Sequence, residues 1–467
     1  MSSNSLNDTR SSNYKGDYNS ASGVYPNSLL PQTLDQPILT TKQIRSVFSQ
    51  NSSVGPNSSF IISIPQTSQD WLVGGSCYLS FNAVFTGATS GSFGFKNNNV
   101  ASLIQRVTIS LGGSIAETMN NYGLTYSGLY MPLMASPGEL NASVITSGAV
   151  AGENNYVPLT YTNSTNGGTQ YTTINVNSAY AFGQFASTPQ TYCLPLLSGI
   201  LNSSQSDQYF PLWALNQPLQ IQFDTASVIQ SFVGSAAAGC PTSYNISSIQ
   251  LVYETISPDS SYTNRIKSEM AAGKSFSFPY QTFTSVSTAA SPATNFLQGL
   301  ISSSLDSYFW ANQTALAAAN IGYGDFSATS LTQAADITNV QRRMLFINGQ
   351  SISSNSSFAT TDASMLSELI RAIGGVINAS SVNFKWSNIG NASSTNYGSF
   401  RSSYYICGYN LRSYNQSNLI NCGTPCSSVN LQVIDNSSMA PNTTLFMWSI
   451  TSQILSIKGD GSVVITR

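Results

Sequence analysis

Two runs of alternating apolar and polar residues most constrain the fold of this chain. Leu219, Ile221 and Phe223 alternate with polar residues, and the same period of two recurs in the stretch Ile249 to Glu254. A period of two indicates strands with one buried face. Ser257-Pro258-Asp259 then interrupts the second run. Because proline cannot donate to a sheet ladder and Pro-Asp favours a turn, we expect the strand and one folded unit to end there.

Two pairs of similar segments, in the same order, indicate an internal duplication. An alternating run ends in Ser63-Ile-Pro-Gln-Thr67, and Ser277-Phe-Pro-Tyr-Gln-Thr282 is similar to it. Further along, the run from Arg106 to Ile115 matches the run from Arg343 to Ile352 when the two arginines are aligned. Two matches in order predict two copies of one all-β unit. We expect an N-terminal arm over 1–36, a first unit over 37–258 and a second over 259–467.

The composition excludes several classes of protein. Only 8% of the 467 residues are charged, against about 25% in a typical soluble domain, and the net charge is −2. No basic run offers a footprint for phosphates, so we expect no sequence-specific binding of nucleic acid. A nearly uncharged surface allows many copies to pack side by side with little repulsion. Apolar runs stay well short of the ~18 residues of a membrane span, and the sequence predicts no transmembrane segment and no signal-peptide core.

The strands of the first unit follow from the same period. We expect them at 59–64, 77–85, 104–115, 219–224 and 249–254, with Gly112-Gly113 forming a turn or bulge inside the third. A short helix is expected around 124–133. The polar stretch 136–192 is either a surface loop with a function or a carrier of short strands. The arm, rich in Ser, Asn, Tyr and Gly, is either disordered or docks on a neighbouring subunit.

In the second unit we expect strands at 275–286, 305–310, 344–347 and 446–457. Its helix carries an apolar face formed by Met365, Leu366, Leu369, Ile370 and Ile373. Thr361 or Asp362 is suited to cap this helix, and Gly374 lies where a left-handed C-terminal cap belongs. We expect the helix to cover the open end of a β-sandwich. Near the C-terminus, Gly459-Asp-Gly461 predicts a hairpin turn before a last strand at 463–467.

The residues that most enzymes require are scarce in this sequence. There is no histidine, which removes His-based catalytic triads and nearly all catalytic zinc sites. No phosphate-binding glycine motif stands between a strand and a helix. The six cysteines are too scattered for a disulfide framework, although Cys422 and Cys426 could close a small loop. We therefore expect no enzyme, and no catalytic, cofactor-binding or metal-binding residues and no cofactor.

In the order of its motifs the chain resembles the double jelly-roll major capsid proteins of small double-stranded DNA viruses of eukaryotes. These viruses are the polinton-like viruses and virophages, within the lineage that includes adenovirus hexons. The resemblance starts after the arm and rests on the following segments, in chain order: the strand ending in Pro65-Gln66-Thr67, the Arg106 strand with its Gly-Gly break, Asn120-Asn121-Tyr122 before a helix, Phe210-Pro211-Leu212 before Leu219, the Ile249 and Arg343 strands, and the glycine hairpin before Val463-Val-Ile-Thr-Arg467.

The resemblance implies an all-β fold of two consecutive eight-stranded jelly-roll β-sandwiches, a double jelly roll, with short capping helices. It further implies a homotrimer with a pseudo-hexagonal outline that tiles an icosahedral shell around a double-stranded DNA genome. Neighbouring capsomers, penton proteins and minor or cement proteins would be its partners. The virion shell, assembled inside the host cell, would be its location. The long loops 136–192, 318–339 and 378–399 would form the outer surface.

Two other classes of protein share parts of this pattern. An extracellular adhesin or carbohydrate-binding fibre protein has a similar Ser, Thr and Asn content, and it predicts a monomer or a thin fibre that binds glycans. A minor capsid or penton protein has a single jelly roll in each copy, which the internal duplication disfavours. A compact trimer distinguishes the major capsid protein from the adhesin.

Overall fold

The fold consists mainly of antiparallel strands, seen in a computed structural model of the chain. The structure describes residues 40–87, 93–95, 99–135, 151–152, 155–156, 160–166, 169–175, 189–201, 209–234, 241–290, 293–315, 323–326, 340–352, 362–374, 376, 406–413, 422–435 and 443–467. The expected N-terminal arm lies outside these residues, as do most of the loops at 318–339 and 378–399. All statements on absence below concern the described part.

Within the described residues, seventeen strands precede Asp259. They are β1 (Thr40–Phe48), β2 (Ser53–Val54), β3 (Ser59–Ile64), β4 (Trp71–Val73), β5 (Tyr78–Thr86), β6 (Phe93–Phe95), β7 (Ile104–Leu111), β8 (Ser114–Asn120), β9 (Ala151–Gly152), β10 (Asn155–Tyr156), β11 (Thr160–Asn166), β12 (Thr169–Asn175), β13 (Gln190–Pro195), β14 (Tyr209–Pro211), β15 (Leu219–Thr225), β16 (Phe232–Gly234) and β17 (Ser243–Pro258).

Eleven strands of the described part follow Asp259. They are β18 (Phe276–Ala289), β19 (Ala293–Gln298), β20 (Ser302–Ala315), β21 (Tyr323–Phe326), β22 (Val340–Ile347), β23 (Gln350–Ser351), β24 (Ile406–Asn410), β25 (Thr424–Cys426), β26 (Val429–Asp435), β27 (Thr443–Ile457) and β28 (Val463–Thr466). The helices are α1 (Tyr122–Leu124), a π-helical segment (Thr125–Tyr130), α2 (Met131–Leu133), α3 (Val228–Ser231), α4 (Ser260–Ala271) and α5 (Asp362–Ile373), with 3₁₀ turns at Val100–Leu103 and Leu212–Ala214.

The two halves of the chain repeat one sheet topology. In the first half, one sheet has the order β3-β15-β7-β8, and the facing sheet pairs β1 with β17, β17 with β5 and β5 with β13. In the second half, the corresponding orders are β19-β26-β22-β23 and β18-β27-β20-β24. Eight strands in two facing sheets with these crossovers form a jelly roll. We call the half before Asp259 the first roll and the half from β18 onward the second roll.

The fold class expected from the sequence is confirmed, and most expected strands are present with longer bounds. β17 extends the strand expected over 249–254 at both ends, and it stops at Pro258 as predicted. β20 and β27 likewise exceed their predicted ranges. β15 buries the alternate residues Leu219, Ile221 and Phe223, which is the pattern used to predict this strand. The stretch 136–192 carries the short strands β9 to β12 and part of β13, as one of its two interpretations required.

The glycine turns are confirmed, but the repeat register is wrong by one residue. Gly112 and Gly113 have φ of 55° and 79°, and the corresponding turn of the second roll is Asn348-Gly349 with φ of 52° and 79°. Equivalent turn residues of the two rolls are therefore 236 residues apart, whereas the sequence match aligned residues that are 237 apart. The bulges in the two strands agree with the offset of 236 residues, because β7 bulges at Gln105 and β22 bulges at residue 341. An offset of one residue exchanges the two faces of a strand.

Two further expectations fail locally. Pro65 follows β3 as predicted, but Pro279 lies inside β18 and is paired with Ile454, so the two similar segments are not equivalent. Gly374 does not have the left-handed conformation of a cap, because its φ is not positive. Its N–H instead donates to the Ile370 carbonyl and continues the helical pattern.

Helix α5 is present, but only part of its predicted apolar face is buried. Leu369 and Ile373 are buried, whereas the Ile370 side chain is 49% exposed. The side chains of Met365 and Leu366, and Thr361, lie outside the described residues. The helix packs against β24 and β20, where the Ser307 hydroxyl donates to the Ala372 carbonyl at 2.8 Å.

Candidate assembly site at the junction of the two rolls

The two rolls contact each other along β8 of the first and β18 of the second. The segment 196–201 and the π-helical segment add to the first-roll side, and β27 and β28 add to the second-roll side. Helix α4 connects the rolls, and its Lys267 Nζ donates to the Ser68 carbonyl at 2.7 Å. The same ammonium lies 5.2 Å from the centre of the Trp213 ring, in cation–π contact.

Four aromatic side chains form the apolar part of the junction. Trp71 of the first roll meets Phe276 of the second edge to face, with ring centres 5.7 Å apart. Phe210 and Phe278 form a similar pair at 5.6 Å. Such pairs stabilise by about 0.5–1.5 kcal/mol beyond the area that they bury. Trp71, Phe210 and Phe278 are buried, so this part of the junction resembles a protein interior.

Hydrogen bonds fix the relative position of the two rolls. The Trp448 indole N–H donates to Thr125 Oγ1 at 2.9 Å. The Tyr280 hydroxyl lies 3.0 Å from the Ala116 carbonyl oxygen and 2.7 Å from Gln453 Oε1. Buried tyrosine and tryptophan need such partners because an unpaired buried donor costs about 1–3 kcal/mol. The bonds therefore select one arrangement of the rolls.

Glu117 of β8 accepts hydrogen bonds from both rolls. Thr282 Oγ1 donates to its Oε1 at 2.7 Å, the Gly199 N–H donates at 3.0 Å, and Ser198 Oγ donates to Oε2 at 2.6 Å. The residue is only 2% exposed. Burial raises the pKa of the Glu117 carboxyl above its ordinary value, although the three donors oppose the shift. An acid is thus held at the junction by neutral donors.

Asp306 is a second buried acid, on β20. Its oxygens accept from Ser304 Oγ at 2.8 Å, from Ser452 Oγ at 2.5 Å and from the Gln281 amide. Burial raises the pKa of Asp306, and the three donors together with the Arg412 charge partly offset the shift. Gln281 lies on β18, so the Asp306 cluster adjoins the junction from the second-roll side.

Gly199 allows a close backbone approach between the rolls. A Cβ atom at this position would lie 2.1 Å from the Gln281 carbonyl oxygen and 2.9 Å from Tyr280 Cδ2. The first distance is far below any van der Waals contact. Only glycine therefore permits the segment around residue 199 to reach β18.

The sequence did not reveal the junction residues, and the expectation of no catalytic residues stays a prediction. Within the ranges given above, no three acids or cysteines cluster in a way that could hold a metal ion. None of the described helices is long and apolar enough to cross a membrane. Cys422 and Cys426 are not joined by a disulfide, and Arg412 Nε donates to Cys422 Sγ at 2.9 Å. The only available signal for the junction was Glu117, an acid within a strand of a chain that has few charges.

No protein-family model matches the sequence, and no curated protein matches it significantly. Solved structures do match over nearly the whole chain. A chain of the Sputnik virophage structure, from cryo-electron microscopy at 3.5 Å, gives a TM-score of 0.56 at 9% identity and covers 95% of this chain and 92% of that one. VP54 of the virus PBCV-1 gives a TM-score of 0.55 at 13% identity and covers 92% of this chain and 97% of that one. The Faustovirus major capsid protein gives a TM-score of 0.53 at 11% identity, and the match covers 97% of both chains.

These similarities define the class of fold. The chain has the double jelly-roll fold of viral major capsid proteins. The resemblance expected from the sequence motifs is therefore confirmed for the fold, over both rolls and not for one sandwich alone.

Proposed function

We propose that this protein is a major capsid protein of a double-stranded DNA virus and that it acts by assembly, without catalysis. Three copies form a pseudo-hexameric capsomer, and the capsomers tile an icosahedral shell around the genome. Its partners are neighbouring capsomers, penton proteins and minor or cement proteins, and its location is the virion shell. The arm over 1–36 and the units over 37–258 and 259–467 are the functional divisions of the chain.

One observation carries this proposal. The two jelly rolls are joined side by side through a buried junction of aromatic pairs and hydrogen bonds, so one chain presents two sandwiches in a fixed arrangement. Three such chains would place six sandwiches in one unit, which fits the six-sided outline of the proposed capsomer. Structures with the same fold over the whole chain include a protein named as a major capsid protein, which supports the assignment.

Native mass spectrometry with negative-stain imaging of the full chain tests the proposal. We expect a species of three times the 49.8 kDa chain that looks hexagonal when seen end-on. A stable monomer or a thin fibre would contradict the capsomer. The adhesin alternative would then be favoured, and binding to a glycan array would be the next measurement.

A further inference from the structure

A cavity lies between the two rolls, near the start of β7 and the ends of β8, β18 and β20. It has a volume of about 250 Å³. The side chains that matter below come from both rolls: Gln105, Asn121, Leu124 and Gln230 from the first, and Ser287 and Phe446 from the second. We call this space the junction cavity. No residue of the aromatic pairs or of the Glu117 cluster lines it, so it is a separate feature of the junction.

The junction cavity lies at the end of the rolls from which the long loops leave. Asn121 directly follows β8, and the stretch 136–192 begins soon after it. Gln313, which also lines the cavity, is near the end of β20, before the loop 318–339. The resemblance to capsid proteins implies that these loops form the outer surface. A ligand of the cavity would therefore approach from outside the virion.

The lining of the cavity is polar but uncharged. Apart from three apolar side chains and one glycine, the described residues that line it carry amide or hydroxyl groups, and none of them is ionisable at neutral pH. A charged ligand would lose its hydration there without meeting an opposite charge, which is costly. Amides and hydroxyls both donate and accept hydrogen bonds. The cavity is therefore suited to a neutral ligand with several hydroxyl groups.

Hydrogen bonds hold the amide groups in place before any ligand binds. Gln105 Nε2 donates to Asn121 Oδ1 at 3.1 Å, and Asn121 Nδ2 donates to Ser285 Oγ of the second roll, also at 3.1 Å. Gln230 Oε1 accepts from the Ser227 N–H at 3.2 Å in the capping box of α3. These bonds do not use Oε1 of Gln105 or the amino group of Gln230. A site that is ordered in advance loses less entropy on binding.

The backbone at Asn121 is strained. Its φ of 48° and ψ of 42° are left-handed, a conformation that few residues other than glycine adopt. The π-helical segment Thr125–Tyr130 begins four residues later, and π-helical turns are rare and frequent at functional sites. Strained backbone is likewise concentrated at sites of function. Both features adjoin the cavity, and the left-handed residue is the one whose amide connects the two rolls there.

We propose that the junction cavity binds one neutral hexose ring of a glycan. The amides and hydroxyls would pair with the sugar hydroxyls, and Ile104, Leu124 and Phe446 provide an apolar wall for the C–H face of the ring. The volume is slightly below the ~300–1,000 Å³ of drug-sized sites, which limits the ligand to about one ring. The inference goes beyond the proposed function, and only the access from outside the shell rests on it. Many copies in one shell would strengthen a weak contact by avidity.

Ligand-observed NMR on the full chain tests the proposal. The probes are the methyl glycosides of glucose, galactose, mannose and N-acetylglucosamine, each titrated separately. We expect at least one to bind with a dissociation constant of about 1 mM, as is usual for so small a ligand. The uronic acid of the same sugar should bind about tenfold more weakly or less, because its carboxylate meets no opposite charge. Failure of all four sugars to bind would overturn the inference.

Two variants locate the binding in the cavity. Ser287→Leu fills the rim, and Ser277→Leu is its control, because both serines are exposed on β18 but only Ser287 lines the cavity. Asn121→Gly removes the amide and keeps the left-handed backbone, which glycine adopts without strain. Asn57→Gly is the matched control, since Asn57 has a φ of 54° and lies elsewhere. We expect each cavity variant to raise the dissociation constant of the sugar by about tenfold or more, and the controls to leave it unchanged.

The outcomes separate this inference from the proposed function. Wild-type binding that persists in both cavity variants would overturn the cavity as the sugar site, while melting temperatures show that the variants are folded. A trimer that binds none of the sugars overturns the inference and leaves the capsomer standing. A monomer that binds a sugar, and loses it in both cavity variants, supports the sugar site and contradicts the capsomer.

Discussion

At the scale of residues, the placement of two acids is the most unusual feature of this protein. The chain has only 19 acidic residues, yet Glu117 and Asp306 are buried and are held mainly by hydroxyl and amide donors. A buried carboxylate is stabilised by such donors but is destabilised by the loss of water. Both effects act on Glu117 at the contact between the rolls, so the protonation of this residue is coupled to the junction.

This coupling predicts a pH dependence of stability. The pKa of Glu117 is raised in the folded chain above its ordinary 4.5, so the folded state binds the proton more tightly than the unfolded state. The contribution of Glu117 is then most favourable below pH 4.5 and is lost as the pH rises through the folded pKa. A tenfold difference in proton affinity between the folded and unfolded states changes the free energy of unfolding by about 1.4 kcal/mol. Tyr122 and Tyr280 are the titratable neighbours, and burial keeps the pKa of both hydroxyls raised.

Glu117→Gln removes this titration. We expect the melting temperature of wild type minus that of the variant to decrease steadily as the pH is raised from 4.5 to 8, measured by differential scanning calorimetry. Glu269→Gln on the exposed side of α4 is the control for the loss of one carboxyl group. A difference for Glu117→Gln that stays constant with pH would show that Glu117 does not titrate in this range.

At the scale of elements, the sequence was sufficient to predict the strands. It was not sufficient to predict the exact register of the repeat or the helix that connects the rolls. Strands such as β3 and β15 were predictable because one face is buried and the other is polar. Helix α4 was missed because only Thr263 and Met270 are buried in it, so it has hardly any apolar period. The junction depends on contacts between distant segments, for example between Glu117 and Thr282, and no local pattern records them.

The register of the repeat makes a prediction at this scale. With the observed offset of 236, Leu345 of β22 is the counterpart of Ile109, and both are completely buried; the offset of 237 would have matched Leu345 with Thr108. Leu345→Ala should therefore reduce the free energy of unfolding by about 2–5 kcal/mol, since it leaves a cavity. Leu297→Ala on β19 of the same sheet is the control, because Leu297 is exposed. Urea denaturation measures both, and equal effects would contradict the observed register.

At the scale of the whole molecule, the two rolls share one hydrophobic core. Buried apolar residues form a continuous cluster that includes Phe81 of the first roll, Phe210 and Phe278 at the junction, and Leu431 of the second roll. The boundary between residues 258 and 259 remains a prediction, although no sheet of the described part combines strands from both sides of it. A shared core opposes separate unfolding of the two halves.

Gly199→Ala tests this coupling. The added Cβ clashes with the Gln281 backbone, so the rolls must separate slightly, and overpacking of this kind costs about 1–3 kcal/mol. We expect calorimetry to show one transition in wild type and a lower melting temperature in the variant. Gly299→Ala is the control, since no atom lies within 4 Å of a Cβ there. Two separate transitions in wild type would contradict the shared core.

The covalent linkage of the rolls through α4 also affects how assembly depends on protein concentration. The contact between β8 and β18 forms when each chain folds, at an effective concentration that the linkage sets and that dilution does not change. Of the six roll-to-roll contacts in the proposed capsomer, three therefore form within chains and only three require an encounter. Capsomer formation then varies with the third power of the chain concentration, where six separate rolls would require the sixth power. The fusion lets closed rings form in a far more dilute pool of newly made chains.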